Sequence, residues 1–298
     1  LFLIKLMTNS LSLLAPAKLN LFLHIVGRRE DGYHLLQSVF QLIDWCDSIT
    51  LQAVSSNRIT RSNPVTGIPE ADDLVVRAAH LLRRECGINQ GVEIQLDKAL
   101  PVGAGLGGGS SDAATTLIGL NALWDLKLTR AQLMKIGLQL GADVPFFIHG
   151  SNAFVEGIGE LIQPITLPEQ QFIVIFPNRP IATKDIFTHP ELTRDHAPIT
   201  INGFLASKLP HSAYSNDCQA VAMQMYPEVK HALDWITKAL PSAQPQMSGS
   251  GSSVFAAIPN GADAAKLAQQ MQNLPQEWMG RIVRGINKNP AYNLVSSD

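Results

Sequence analysis

Past Lys18, apolar and polar positions alternate through Leu13 to Val26, the two-residue period of a strand with one face in a core. A turn-rich stretch, GRREDGYH, follows, and residues 38–45 (SVFQLIDW) and 48–54 (SITLQAV) predict two further strands. Asn57 to Glu70 carries Pro, Gly and Ser and reads as a loop. The period then lengthens. Apolar side chains recur every three or four residues through DLVVRAAHLLRREC, which predicts a helix capped by Asp72 and stopped at Gly87. Residues 92–100 (VEIQLDKAL) predict a strand that runs into PVGAGLGGGSS and a second helix, SDAATTLIGLNALW. A third helix over TRAQLMKIGLQLG leads to ADVPFFIHG, and SNAFVEGIGELIQPI predicts a hairpin.

Near Pro168 the pattern restarts. QFIVIFP predicts a buried strand, PEVKHALDWITKAL an amphipathic helix, SSVFAAIP a strand, ADAAKLAQQMQNL a helix and GRIVRGI a closing strand. That alternation is the pattern of a ferredoxin-like α+β unit. The expected architecture is therefore α+β in two domains, residues 1–160 and 161–298, with no internal repeat or low-complexity segment.

Composition excludes some classes. The 298 residues are 46% apolar and 16% charged, an ordinary globular balance with enough chain for a sizeable core. Net charge is -2 and no basic stripe is present, which argues against a nucleic-acid partner while leaving room for a locally cationic pocket. Cys46, Cys86 and Cys218 lack metal-ligand or redox spacing, as expected of a reduced, cytoplasmic protein. No run approaches the ~20 apolar residues of a membrane span. The opening LFLIKLM reads as an upstream extension, with Met7 as the native start.

Chemistry concentrates in Pro101, Val102, Gly103, Ala104, Gly105, Leu106, Gly107, Gly108, Gly109, Ser110 and Ser111, between a strand and a helix. Glycines let the backbone approach a ligand closely, and N–H groups at a helix start attract anions. Ser110 and Ser111 add hydroxyls suited to capping, to phosphate oxygens or to Mg²⁺. A P-loop would end in Gly-Lys-Ser/Thr, and none follows. A dinucleotide-binding turn would place an acid on the next strand, whereas Asp125 falls at the end of a helix. The plain alternative is a flexible surface turn.

PVGAGLGGGSSDAA resembles the phosphate-binding motif of the GHMP kinases. Ala15-Pro16-Ala17-Lys18-Leu19-Asn20-Leu21, Arg29-Glu30-Asp31-Gly32-Tyr33-His34, Leu140-Gly141-Ala142-Asp143-Val144-Pro145, Ser215-Asn216-Asp217 and Met247-Ser248-Gly249-Ser250-Gly251 resemble, in order, the blocks of a branch whose substrate is linked to cytidine diphosphate. Ser253 stands where many relatives carry cysteine.

The resemblance implies a two-domain GHMP kinase fold: an N-terminal ATP-binding domain with a residual strand/helix layer, and a ferredoxin-like C-terminal domain. It also implies ATP as co-substrate with Mg²⁺, and a small-molecule partner handled by a monomer or weak homodimer. By itself Lys18 reads as a snorkelling strand residue and Asp143 as a turn or cap residue. The resemblance makes Asp143 the base that takes the acceptor hydroxyl's proton and Lys18 its cationic partner. Likewise Tyr33 and His34, by themselves a packing tyrosine and a structural hydrogen-bonder, become readers of cytosine. Phe187 is the candidate for the opposite face of the base, and Asn20 joins the substrate site. The competing expectations are a related kinase for another alcohol, and a non-catalytic nucleotide-binding module, which would have no reason to keep both Lys18 and Asp143.

Overall fold

The computed structural model describes residues 9–207 and 214–296; the opening segment with Met7 lies outside them. β1 (Ser10–Arg28) and β2 (His34–Val54) form a long antiparallel pair. The two strands expected over 38–54 are one. Their register shifts between Pro16↔Cys46 and Ala17↔Ile43, so Asp44 and Trp45 are absorbed as a bulge rather than ending the strand. Asp47, fully buried beyond the bulge, accepts from the N–H groups of Ala99 (2.6 Å) and Leu100 (2.7 Å), which satisfies a carboxylate that would otherwise break the element.

β2 is the hub of the first half. Besides β1 it pairs with β4 (Gly91–Asp97), with β5 (Ala153–Glu156) and with β10 (Met279–Ile286). β3 (Ile59–Arg61) adds to β4 in parallel, and β6 (Leu161–Pro164) completes the expected hairpin with β5. Helix α1 (Leu74–Cys86) is capped by Asp73, not Asp72: the Asp73 carboxylate accepts from Val75 N, and Gly87 closes the helix in the left-handed region. Asp72 ends a short 3₁₀ turn instead.

α2 (Gly108–Leu123) is buried at every position from Ser111 to Asn121, a central helix of small and apolar residues whose polar positions form no solvent-facing stripe. α3 (Arg130–Gly137), opened by a Thr129–Gln132 capping box, and the short α4 (Val144–His149) finish this half.

In the second half, β7 (Gln171–Phe176), β8 (Gln246–Met247), β9 (Val254–Ala257) and β10 lie in the order β10-β7-β9-β8, every pair antiparallel. α8 (Pro227–Ala239) and α9 (Ala264–Met271) provide the crossovers, so the strand order is that of a ferredoxin-like unit, as expected. Three short helices had no clear periodic signal: α5 (Thr183–Thr188), α6 (Ile201–Ala206) and α7 (Asp217–Met225). No helix among the described residues is long and apolar enough to cross a membrane.

Candidate active site

A cavity of about 920 Å³ opens between the halves and gathers most of the expected residues: Lys18, Asn20, Tyr33, His34, Asp143, Phe187 and residues 101–110. Residues from distant parts of the chain meet here because β1, the glycine-rich segment and the second half's 246–251 turn are hydrogen-bonded to one another. Lys18 N donates to Leu106 O at 3.0 Å, Ser253 N to Ala104 O at 3.0 Å, and Ser248 Oγ to Gly105 O at 3.0 Å. Asn20 N donates to Ser248 Oγ at 3.2 Å, and Asn216 Nδ2 braces the turn through Met247 O (2.7 Å) and Gly249 O (2.8 Å).

Two glycines of the segment answer to close approach within the protein. Gly105 has φ +76°, and a Cβ there would lie 2.2 Å from Ser248 O. Gly107 has φ +72°, and its Cβ would meet the Phe147 ring at 2.9 Å and Lys18 Cγ at 3.2 Å. Gly107 is the N-cap of α2, with no side-chain cap, so Ser110 and Ser111 lie inside the first turn rather than capping it. Ser111 N closes the first helical bond to Gly107 O at 2.9 Å, which leaves the preceding N–H groups of Gly108, Gly109 and Ser110 directed out of the helix start. These three residues line the cavity. Ser111 does not: it is fully buried, and its Oγ has no partner among the described residues.

Lys18 is 4% exposed, with Nζ 3.5 Å from Asp143 Oδ2, hydrogen-bonded to Asn20 Oδ1 and 4.4 Å from the centre of the Phe40 ring. Burial pushes its pKa down and the Asp143 carboxylate opposes that shift. Asn20 is oriented in turn, its Nδ2 donating to Ser38 Oγ at 3.0 Å. Asp143 stands at the N-terminal end of α4 yet makes no capping bond, which leaves its carboxylate, 30% exposed, turned to the cavity and Lys18.

At one end of the cavity His34 packs against Phe187, ring centres 5.1 Å apart and tilted by 53°. Tyr33 lies on the same rim, 60% exposed and without ring contact to either among the described residues. The other end brings in residues that sequence reasoning missed. Ile68, Leu74 and Leu96 form an apolar wall, with Ile68 held by Arg61 Nη2 through its carbonyl at 3.0 Å and Arg61 ion-paired to Asp73. Beside the α2 start, Lys98 bonds to Asp47 and, at 2.8 Å, to Asp112 Oδ2. Burial raises the Asp112 pKa, the Lys98 ammonium opposes that shift, and the Asp112 Oδ1 has no partner among the described residues. Period two puts Lys98 of VEIQLDKAL on the face of the buried Val92, Ile94 and Leu96, and that parity is the signal that could have found it.

A buried strand lysine against a carboxylate, both beside a glycine-lined helix start, is an arrangement suited to phosphoryl transfer to an alcohol. The chain matches the GHMP kinase N-terminal domain over residues 73–151 and the GHMP kinase C-terminal domain over residues 205–276. It is 66% identical over 288 residues to a 4-diphosphocytidyl-2-C-methyl-D-erythritol kinase of Polynucleobacter necessarius, covering 97% of each chain. It is 52% identical to the kinase of that name from Ralstonia pickettii, covering 93% of this chain and 94% of that one. A crystal structure of a 4-(cytidine 5'-diphospho)-2C-methyl-D-erythritol kinase superposes with a TM-score of 0.76 at 32% identity, covering 93% of this chain and all of the other. The chain belongs to the 4-diphosphocytidyl-2-C-methyl-D-erythritol kinase family of GHMP kinases, and is an ATP-dependent kinase.

Proposed function

We propose that the protein transfers the γ-phosphoryl group of ATP to the 2-hydroxyl of 4-diphosphocytidyl-2-C-methyl-D-erythritol, giving ADP and the 2-phosphate, in the non-mevalonate route to isoprenoid precursors. The observation that carries the reading is the 3.5 Å approach of Lys18 Nζ to Asp143 Oδ2 in the cavity that the glycine segment lines. Asp143 takes the proton of the attacking hydroxyl as that oxygen bonds to the γ-phosphorus and the bridging oxygen leaves with ADP. Lys18 keeps the carboxylate ionised and offsets charge gathering on the transferring group. The N–H groups of Gly108, Gly109 and Ser110 receive the ATP phosphates, and the Ile68, Leu74 and Leu96 wall suits the adenine. Tyr33 and Phe187 flank the cytosine, and His34 bonds to its edge.

Mg²⁺ fits the phosphate end. The Ser110 hydroxyl and the free Oδ1 of buried Asp112 are hard oxygen donors there, and a Mg²⁺ that arrives on nucleotide phosphates needs only one or two protein ligands. Bound, it would neutralise phosphate charge. In this reading residues 1–160 hold ATP, residues 161–298 complete the substrate end, and the enzyme works in the cytoplasm as a monomer or weak homodimer.

The test is purified protein with ATP, Mg²⁺ and 4-diphosphocytidyl-2-C-methyl-D-erythritol, scored for ADP and the 2-phosphorylated product. Absence of that product alongside turnover of mevalonate or homoserine would overturn the substrate assignment.

A further inference from the structure

Arg194, between α5 and α6, belongs to none of the motifs above. Its guanidinium is held on several sides. Nη2 donates to Phe187 O at 3.1 Å and His189 O at 2.8 Å, Nη1 to Leu192 O at 3.0 Å, and Nε to His34 Nε2 at 3.1 Å. Two of these carbonyls sit at the C-terminal end of α5, where a cation is favoured.

A guanidinium carries only donors and keeps its charge throughout the working pH range. The imidazole nitrogen facing it must therefore accept. That leaves the hydrogen of a neutral His34 ring on Nδ1, which has no protein partner among the described residues. Burial, then the charges of Arg194 and of Arg28 on β1, keep the ring's pKa below its ordinary value. Asp31 and Lys184 are the other charged groups at this end of the cavity.

We propose that Arg194 is a positioning residue that fixes His34 as the neutral Nδ1–H tautomer, so that the ring offers the base one donor and thereby separates cytosine from uracil. This rests on the reading of His34 as the group that meets the base. The cytosine edge presents acceptors at O2 and N3, whereas uracil carries an N–H at N3. A donor at His34 Nδ1 pairs with the first and opposes the second. Because the same guanidinium holds the Phe187 carbonyl, it also sets the ring that packs on His34.

The first measurement needs no variant: ¹⁵N spectra of the full chain with ring-labelled histidine. At about pH 7 to 8 His34 is expected to be neutral and protonated on Nδ1, and protonation on Nε2 overturns the proposal. In Arg194→Met the ring should populate both tautomers, and its pKa should rise toward the ordinary histidine value without reaching it, because burial and Arg28 remain. KM for the cytidine-linked substrate should rise on the order of tenfold, with kcat and the ATP KM little changed, and preference over the uridine analogue should fall by a similar factor. Arg194→Met with wild-type tautomer and preference sinks the idea. So does an equal loss on adding Arg194→Met to His34→Ala, since Arg194 would then act on the loop rather than through the ring. Should the wild type turn over no cytidine-linked substrate, the functional reading fails, while the tautomer stands or falls on the spectra alone.

Discussion

The two ends of the cavity are built differently. The end proposed to hold the phosphates is one contiguous run, residues 101–110, whose available donors at the α2 start are main-chain N–H groups. The end proposed to hold the pyrimidine is assembled from side chains on three separated segments: Tyr33 and His34 at the start of β2, Phe187 on α5, and Arg194 beyond it. A backbone cradle depends on φ angles and on what packs behind it. A side-chain cradle depends on ring orientation and on the hydrogen bonds that hold each ring. Lys18 and Asp143 lie where the two ends meet, so chemistry should be sensitive to both.

The largest expected effect lies at that junction. Asp143→Asn keeps the shape and removes the proton acceptor, so kcat should fall about 10²–10⁴-fold with KM nearly constant. Lys18→Met should also lower kcat, and the double variant should be little worse than the poorer single, since the pair acts as a unit. Single-turnover transfer at saturating ATP, Mg²⁺ and substrate separates chemistry from product release. A folded Asp143→Asn enzyme with near wild-type transfer would reduce Asp143 to a positioning role.

At the pyrimidine end, Tyr33→Ala should weaken substrate binding by ~1–3 kcal/mol, one base–aromatic stack, without touching ATP. Calorimetry with each ligand separately tests this, and equal losses for both would erase the distinction between the two ends.

The phosphate end should separate its glycines by what lies behind them. Gly107→Ala forces a left-handed φ on a residue with a Cβ and drives that atom into the buried Phe147 ring, costing about 1–2 kcal/mol of stability or more. Gly109 is exposed, and its Cβ would meet only the end of Leu74, at 3.3 Å. Gly109→Ala should therefore leave the melting temperature unchanged or slightly higher while raising the ATP KM. Melting curves and ATP kinetics on both variants decide it; unchanged ATP kinetics in Gly109→Ala would remove that residue from the nucleotide site.

The smallest effect is on stability against pH, at His24. This side chain is 2% exposed, its ring stacks on His196 at 3.5 Å, and neither nitrogen has a partner among the described residues. Burial, then His196, lower its pKa to about 4, against the pull of Asp217. Between about pH 6.5 and 4 the unfolded chain binds a proton that the folded one does not, so this contribution to stability is lost as pH falls through that window. His24→Phe should flatten the acid side of the melting-temperature profile by a few degrees; an unchanged profile would assign the acid limb to other groups.

The contrast between the two ends also explains what the sequence made legible. A local run with a local purpose can be read directly, which is why the glycine segment stood out. Strand periods likewise outlined β1, β7 and β10. The bulge hid the continuity of β2, because Asp44 and Asp47, two carboxylates so close together, imitate a break when the partner strand is unknown. Asp72 and Asp73 are both good caps, and only the Val75 N–H selects the second. Arg194 carries no local pattern because His34 lies 160 positions away, and Lys98, inward by strand parity, gains its meaning only from Asp47, 51 positions back, and Asp112, 14 positions on. Lys18 and Asp143 were suspected through family resemblance, and their 3.5 Å approach is a property of the fold alone.

The pairing of β10 with β2 has a mechanical consequence. Gly285 and Ile286 lie opposite Ile43 and Leu42, Gln41 Nε2 reaches Ile286 O at 3.0 Å, and Arg284 bonds to Asp44 at 2.7 and 2.9 Å. A chain segment from the far end of the protein is thus stitched into the sheet of the near half. Swinging the halves apart like a jaw would unzip main-chain hydrogen bonds, so the frame of the cleft is expected to stay put as ligands come and go.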